Sequence, residues 1–299
     1  MKEEKKVPAK TTKAAKAPAP ATKAVAVRPK AAPPAPPKSL AARIAADSGV
    51  GAGLEGADKD SFAIPFIRVL QDGSPQTKAG QVGFVKGAKS GMLFNTVTSE
   101  LFGGDEGIVF IPCAFQRRFI RWGPRGAENS GYKGELMPED VAEKLSSGEI
   151  VKSEDDGKLY FGPGTNPKKD DRASDTRNHF GLVLTEHGPV QALLSLTSTQ
   201  IKKSKQLMGI LSGVAIDGKT PPTWMNKIRI TTLPESNDLG NWNGIRVEHE
   251  GFIDDEVTYD AGKAFHDIIA AGKAHVNYAD LGNEEPSDAT GDGGEPERF

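Results

Sequence analysis

The sequence has little cysteine, few aromatic residues and no long apolar run. Its single cysteine, Cys113, excludes an internal disulfide and any site built from several cysteines, as is typical of proteins in a reducing compartment. No stretch of about 18 apolar residues is available to span a membrane. The lysine-rich start also lacks the apolar segment of a secretion signal. Together these absences predict a cytoplasmic protein that does not bind membranes.

Motifs of the common enzyme classes are missing as well. The five histidines show no H-E-x-x-H or Cys/His spacing, and there is no G-x-x-x-x-G-K-[ST] phosphate loop or G-x-S-x-G elbow. Cys113 lies in an apolar segment, which favours a core residue over a nucleophile. We therefore predict a non-enzymatic protein with no catalytic residues, no metal and no cofactor.

The charges are distributed unevenly although the formal net charge is only -2. Residues 1–38 hold ten lysines and arginines against two glutamates, and residues 280–299 hold seven acids against one arginine. Blocks of one sign that are rich in proline or glycine rarely bury enough apolar surface to fold. The sequence therefore predicts a disordered basic arm over 1–58 and a disordered acidic tail over 279–299.

Between these ends, residues 59–278 have the pattern of a single folded domain. Short alternating segments punctuated by Gly and Pro predict strands at FAIPFIRV, QVGFV, MLFNTVT, IVFIPCAFQRRFIRW, WMNKIRITTL and GIRVEHEGFI, and a hairpin at HFGLVLTEHGPVQALLSLTS. PESNDLGNWN is predicted to join the last two strands. Residues 126–178 are predicted to be a polar insertion outside the core. The fold class is α+β and β-rich, with an OB-like barrel as one candidate core.

Helical patterns are fewer than strand patterns. TSTQIKKSKQLMGIL has capping-box spacing between Thr197 and Gln200 and an apolar face, and TYDAGKAFHDIIAAGKAH is a second helix. PEDVAEKLSSG is a short helical segment within the insertion. The sequence therefore predicts one or two helices beside a sheet.

The segment FQRRFIRW carries the main functional signal. As a strand it places Phe115, Arg117, Phe119 and Arg121 on one face and Arg118 and Trp122 on the other. Arginines that reach phosphates beside rings that stack on unpaired bases are typical of single-stranded nucleic-acid binding. We expect these rings and guanidinium groups to be exposed together on one platform, with Arg125 just downstream. The alternative is a strand with its rings in the core and its arginines in solvent.

Two further features fit the same hypothesis. Lys202, Lys203 and Lys205 lie opposite the apolar stripe of their helix, where they could contact phosphates or form a solvated face. The acidic tail ends in Phe299, whose ring and α-carboxylate could dock into a pocket on a partner protein.

The segments FAIPFIRVLQDGSPQ, GMLFNTVT, VFIPCAFQRRFIRWGPR and FGLVLTEHGPVQALLSLTSTQIKKSKQ resemble a family of tailed-bacteriophage replication and recombination proteins. Members are often described as single-stranded DNA-binding. The acidic tail is similar to tails that recruit replication partners in such proteins, although Arg298 and the many glycines depart from that pattern. The resemblance implies a protein that coats single-stranded DNA in the host cytoplasm and recruits replication or recombination proteins through its tail. Homo-oligomers are compatible with this role.

Two alternatives stay open. A virion or tail-associated structural protein would use its arms for assembly. A metal-dependent DNA-processing enzyme would use the aspartates at 170, 171 and 175 to hold a hard cation, although the neighbouring lysines favour a solvated loop.

Overall fold

A computed structural model of the protein describes residues 63–124, 126–237, 240–274 and 276–281. All of these residues lie in one compact unit. The predicted arm over 1–58 falls outside the described residues, as does nearly all of the predicted tail. A small antiparallel sheet near the start has the strand order β1-β2-β3, with bounds β1 Ile67–Val69, β2 Leu93–Asn95 and β3 Leu101–Phe102.

An antiparallel sheet of eight strands forms most of the domain and curls into a half-barrel. Its strands are β4 Ile108–Gly123, β5 Gly131–Leu136, β6 Ile150–Lys152, β7 Leu159–Phe161, β8 Arg172–Thr185, β9 Gly188–Thr197, β10 Asn226–Asn237 and β11 Gly240–Phe252. The path through the sheet is β11-β10-β4-β8-β7-β6, while β5 pairs with β4 and β9 pairs with β8. The two long strands β4 and β8 therefore form its centre.

The central pair bends where β4 carries a proline. The register shifts between Pro112 and Ala114, and Gly181 of β8 lies opposite Pro112. A proline has no N–H for the ladder and is tolerated at a bulge, which also increases the local twist. A Cβ atom at Gly181 would collide with the Phe110 ring and the Ile111 carbonyl, so this close approach requires glycine. The bend lets each long strand change its neighbours halfway along.

Each face of the sheet carries its own apolar cluster and its own helix. Helix α2 (Ile201–Gly213) covers one face through Leu207 and Leu211. Helix α3 (Glu256–Ala270) covers the other through Phe265 and Ile269, which lie one helical turn apart. A third, smaller cluster forms under helix α1 (Pro138–Ser147). The domain is therefore a sheet packed between helices.

Glutamine side chains cover part of the edge of β11. Gln71 donates to the Asn243 carbonyl at 2.9 Å and accepts from the Asn243 N–H at 2.8 Å. Gln200 accepts from the Ile245 N–H at 3.3 Å, just before α2 begins. Unpaired strand edges are templates for intermolecular pairing, so these amides protect the edge and also hold α2 against the sheet.

The predicted fold class is confirmed, with a curled half-barrel as the sheet. The residues that the structure describes form three helices, where the sequence predicted one or two. QVGFV is not a strand: it lies in turns, and Val82 is 97% exposed. PESNDLGNWN is not a long connection, because β10 and β11 continue to pair as far as Asn237 and Gly240. The helix of TSTQIKKSKQLMGIL is confirmed, but it follows a 3-10 turn and lacks the Thr197–Gln200 capping box.

The largest difference from the prediction concerns residues 126–178, which were expected to be a polar insertion outside the core. This segment supplies β5, α1, β6, β7 and the first half of β8, and it buries Val141, Ile150 and Ala173. Its polar composition reflects strands that present one side to solvent, so a low apolar content did not mean a place outside the core.

None of the helices among the described residues has the length and apolarity that crossing a bilayer requires.

The burial of two rings of FQRRFIRW predicts a stability effect. Replacing Phe119 or Trp122 by Ala should lower the free energy of unfolding by about 3–5 kcal/mol, because each change leaves a cavity in a buried cluster. Urea unfolding followed by circular dichroism measures this. The exposed Phe84 is the matched control, and Phe84→Ala should change the free energy by less than about 0.5 kcal/mol. Equal effects for all three variants would contradict the assignment.

Candidate nucleic-acid interface

The alternation predicted for FQRRFIRW is present, but only one of its three rings is exposed. In the pairing of β4 with β8, Phe115 lies opposite His179, Arg117 opposite Arg177, and Phe119 opposite Asp175. Phe115 is 37% exposed, whereas Phe119 and Trp122 are only 7% and 5% exposed. The expectation of a platform that exposes all three rings is therefore wrong.

The two buried rings are covered from opposite sides. Phe119 lies under α1 and β6, in the cluster that includes Val141 and Ile150. Trp122 points to the other face and packs edge-on against Tyr132, with ring centroids 6.1 Å apart. Segment 126–178 supplies all three of these covering residues, which is why a prediction that placed it outside the core left the rings exposed.

An aspartate holds two arginines together next to Phe115. Asp175 accepts from Nε and Nη2 of Arg117 at 3.1 and 2.6 Å, and from the same two nitrogens of Arg177 at 3.0 and 3.1 Å. The Arg117 guanidinium also lies over the buried Phe119 ring, 5.1 Å from its centroid. The Phe115 ring packs on His179 at 5.0 Å. One exposed ring and two guanidinium groups therefore adjoin on one face.

A second group, again of one aspartate, two cations and an aromatic ring, lies four residues further along β4. Arg121 donates through Nε to Asp171 at 2.7 Å, and Lys133 donates to the other oxygen of Asp171 at 2.5 Å. The Arg121 guanidinium lies over the Phe161 ring, 4.0 Å from its centroid. Burial alone would raise the pKa of Asp171, but the hydrogen bonds from Lys133 and Arg121 outweigh it and hold the pKa below its ordinary value.

The two groups lie on the same face of the sheet, on either side of the buried Phe119, and together we call them the basic strip. Its four cations and two carboxylates leave a net charge of +2. Four residues of extended strand separate Arg117 from Arg121, or about 13 Å. The strip consists of Phe115, Arg117, Arg121, Lys133, Phe161 and Arg177, with Asp171 and Asp175 between its cations.

Half of the basic strip was not predicted from the sequence. Arg177 lies on the same face as Asp175 because the two are two residues apart on β8, a period that RASDTRNHF contains. Lys133 reaches this face because the β4–β5 register shifts between Arg121 and Trp122. Phe161 lies on the short strand β7. Only the alternation in β8 could have been found in the sequence.

The other predicted binding residues lie on the opposite face of β4, on α2, or outside the described residues. Arg118 is on the opposite face, donates to the Arg117 carbonyl at 2.9 Å and has its Nε 3.9 Å from Glu135. Lys203 pairs with Glu235 at 3.1 Å, while Lys202 and Lys205 are exposed on α2. Arg125 and Phe299 lie outside the described residues.

A buried histidine connects α2 to the strip. His179 Nε2 lies 2.8 Å from the Ser204 hydroxyl, and both side chains are buried. Burial, with a smaller contribution from the charge of Arg177, lowers the pKa of His179 to about 4. The imidazole is therefore neutral at pH 7, and it supports Phe115 from beneath.

The cysteine and the aspartates that could serve an enzyme are buried or hydrogen-bonded within the protein. Cys113 is fully buried, as expected of a core residue, and burial raises the pKa of its thiol to about 12. Asp171 and Asp175 are each held by two cations, and Asp170 accepts from the Asn166 N–H at 2.8 Å. Across the part of the chain that the structure describes, no three His, Cys, Asp or Glu side chains are grouped to hold a metal ion.

Residues 35–275, which are most of the chain, match the model of the family described as Pam3 phage gp34-like protein. The chain belongs to this family. The gp34-like match contains the entire basic strip and excludes Phe299. It confirms the expected relation to phage proteins, whereas single-stranded DNA binding stays a prediction. A search of curated proteins and a search of solved structures returned no match.

The pKa of His179 predicts how stability depends on pH. Its ordinary pKa is 6.5, so as pH falls below 6.5 the unfolded chain takes up a proton that the folded protein does not bind until about pH 4. Stability should therefore fall across that window, by up to roughly 3 kcal/mol from this group.

Urea unfolding between pH 4.5 and 7 tests this expectation with His179→Gln, which should flatten the dependence. His187 is exposed, so His187→Gln is the control and should leave the dependence unchanged. A His179→Gln variant with the same pH dependence as the wild type would contradict the role of this histidine.

Proposed function

We propose that this gp34-like protein is non-enzymatic and binds single-stranded DNA without sequence preference, through the basic strip. The observation that carries the proposal is the repeated unit of two cations beside an aromatic ring. Phe115 lies two residues before Arg117 on the same face of β4, and Arg177 is opposite Arg117 on β8. Phe161 lies under Arg121, and Lys133 shares the Asp171 carboxylate with Arg121. Cations that track a backbone, with rings that offer a stacking surface, are what a single strand requires.

The exposure of the strip supports this function. The side chains of Arg117 and Arg121 are 41% and 38% exposed, and Phe115 is exposed beside them. Unpaired bases can stack on such a ring, whereas the bases of a duplex are already stacked on each other. The major groove of a duplex admits a helix or a two-stranded ribbon, whereas the strip lies on the face of an eight-stranded sheet, which favours single strands over duplex DNA.

The setting supports a role in phage DNA metabolism. The chain belongs to a phage protein family. In this proposal it coats single strands during replication or recombination. The lysine-rich arm adds salt-dependent attraction, and the tail ending in Phe299 recruits partner proteins.

Removing the exposed arginines tests the proposal. Arg117→Ala/Arg121→Ala should weaken binding to a fluorescein-labelled oligothymidine by more than about tenfold at 0.1 M salt, because two phosphate contacts are lost. The slope of log K against log salt should become shallower, by at most about 0.7 per contact. Fluorescence anisotropy over a salt series measures both, with a duplex of equal length for comparison.

The matched control is Arg229→Ala/Arg246→Ala. These arginines also pair with carboxylates, Glu250 and Glu248, and lie on β10 and β11 away from the strip. The control should bind as the wild type does. Equal affinities for both double variants, or tighter binding of the duplex, would refute the assignment.

The stacking role of Phe115 is tested separately. Phe115→Ala should weaken oligothymidine binding about fivefold, because a partly exposed ring contributes near the lower end of about 1–3 kcal/mol per stacked base. The exposed Phe84 again provides the control, as Phe84→Ala removes a ring outside the strip. Identical affinities for the two variants would remove Phe115 from the interface.

A further inference from the structure

The arginines of the basic strip present the same edge to an internal carboxylate. Arg117 and Arg177 each donate through Nε and Nη2 to Asp175, and Arg121 directs the same two nitrogens to Asp171. That edge is one of the two with which a guanidinium binds a phosphate through two parallel hydrogen bonds. A backbone phosphate that binds there must therefore compete with the protein's own aspartates.

Asp175 also has a structural task. Arg117 and Arg177 lie directly opposite each other across β4 and β8. Like charges in that position destabilise a sheet. Asp175 precedes Arg177 by two residues on the same face of β8 and offsets both charges. Without it, two guanidinium groups would face each other with no anion between them.

We infer that Asp171 and Asp175 are internal counter-anions that limit the affinity of the strip for single-stranded DNA. This inference rests on the proposed function. In the free protein each carboxylate holds two cations in place, and on binding a phosphate takes over part of that coordination. The aspartates thus stabilise the fold at the expense of binding, a trade-off between stability and function.

The inference predicts how the salt dependence of binding changes when a carboxylate is removed. Each phosphate neutralised on a single strand releases counterions and contributes about -0.7 to the slope of log K against log salt. A cation that is already neutralised by an internal carboxylate contributes less. Removing one carboxylate should therefore steepen the slope by about 0.7, which corresponds to about fivefold tighter binding at 0.1 M salt.

Asp175→Asn in the full chain tests the inference, with fluorescence anisotropy on oligothymidine and a thermal melt of each variant. We expect about fivefold tighter binding, a slope steeper by about 0.7 and a lower melting temperature. Glu250→Gln is the matched control, because it removes a carboxylate paired with Arg229 and changes the net charge equally. It should leave affinity within about twofold of the wild type, because Glu250 lies outside the strip.

Affinity of Asp175→Asn equal to or weaker than that of Glu250→Gln would overturn the inference, since a purely structural aspartate lowers stability without tightening binding. If Asp175→Asn does not fold, Asp175→Asn/Arg177→Gln replaces it, because this pair removes the facing charges while freeing Arg117. The double variant should bind at least as tightly as the wild type although it has lost an arginine, and weaker binding would overturn the inference. A wild type that does not bind would refute the proposed function itself.

Discussion

The antiparallel pairing of β4 with β8 is the interaction on which the rest of the structure depends. It runs from Phe110 opposite Val183 to Trp122 opposite Arg172, and every other strand of the large sheet is reached through one of these two. The same register sets Arg117 against Arg177 and Phe115 against His179. The central pairing therefore builds both the fold and the basic strip, and a slip of one residue would turn the arginines to the other face.

The strip shows how a sheet accommodates a concentration of positive charge. Placing four cations on adjacent strands is unfavourable, and the chain offsets this with two aspartates that each bind two of them. Aromatic rings stabilise two of these cations further, since Phe119 lies beneath the Arg117 guanidinium and Phe161 beneath that of Arg121. Such contacts are electrostatically favourable and keep the arginine heads at the surface. The outcome is a surface that is basic, ordered and only modestly charged.

The sequence predicted the fold class, the β8–β9 hairpin, the strands β10 and β11 and the alternation along FQRRFIRW, because these depend on local period and turn residues. It did not predict which rings are buried, because Phe119 and Trp122 are covered by Val141, Ile150 and Tyr132 from a later segment. It also missed Lys133, whose orientation depends on a register shift that composition does not encode. Periodicity places a residue on a face, but only long-range packing decides whether that face meets solvent.

Ultraviolet cross-linking of the full chain to oligothymidine, followed by mass spectrometry of the peptides, tests the central claim most directly. A base stacked on the strip should form adducts in the peptides that contain Phe115 or Phe161, and competition with unlabelled single strands should suppress them more than competition with duplex does. Adducts found only outside β4, β7 and β8 would contradict the account.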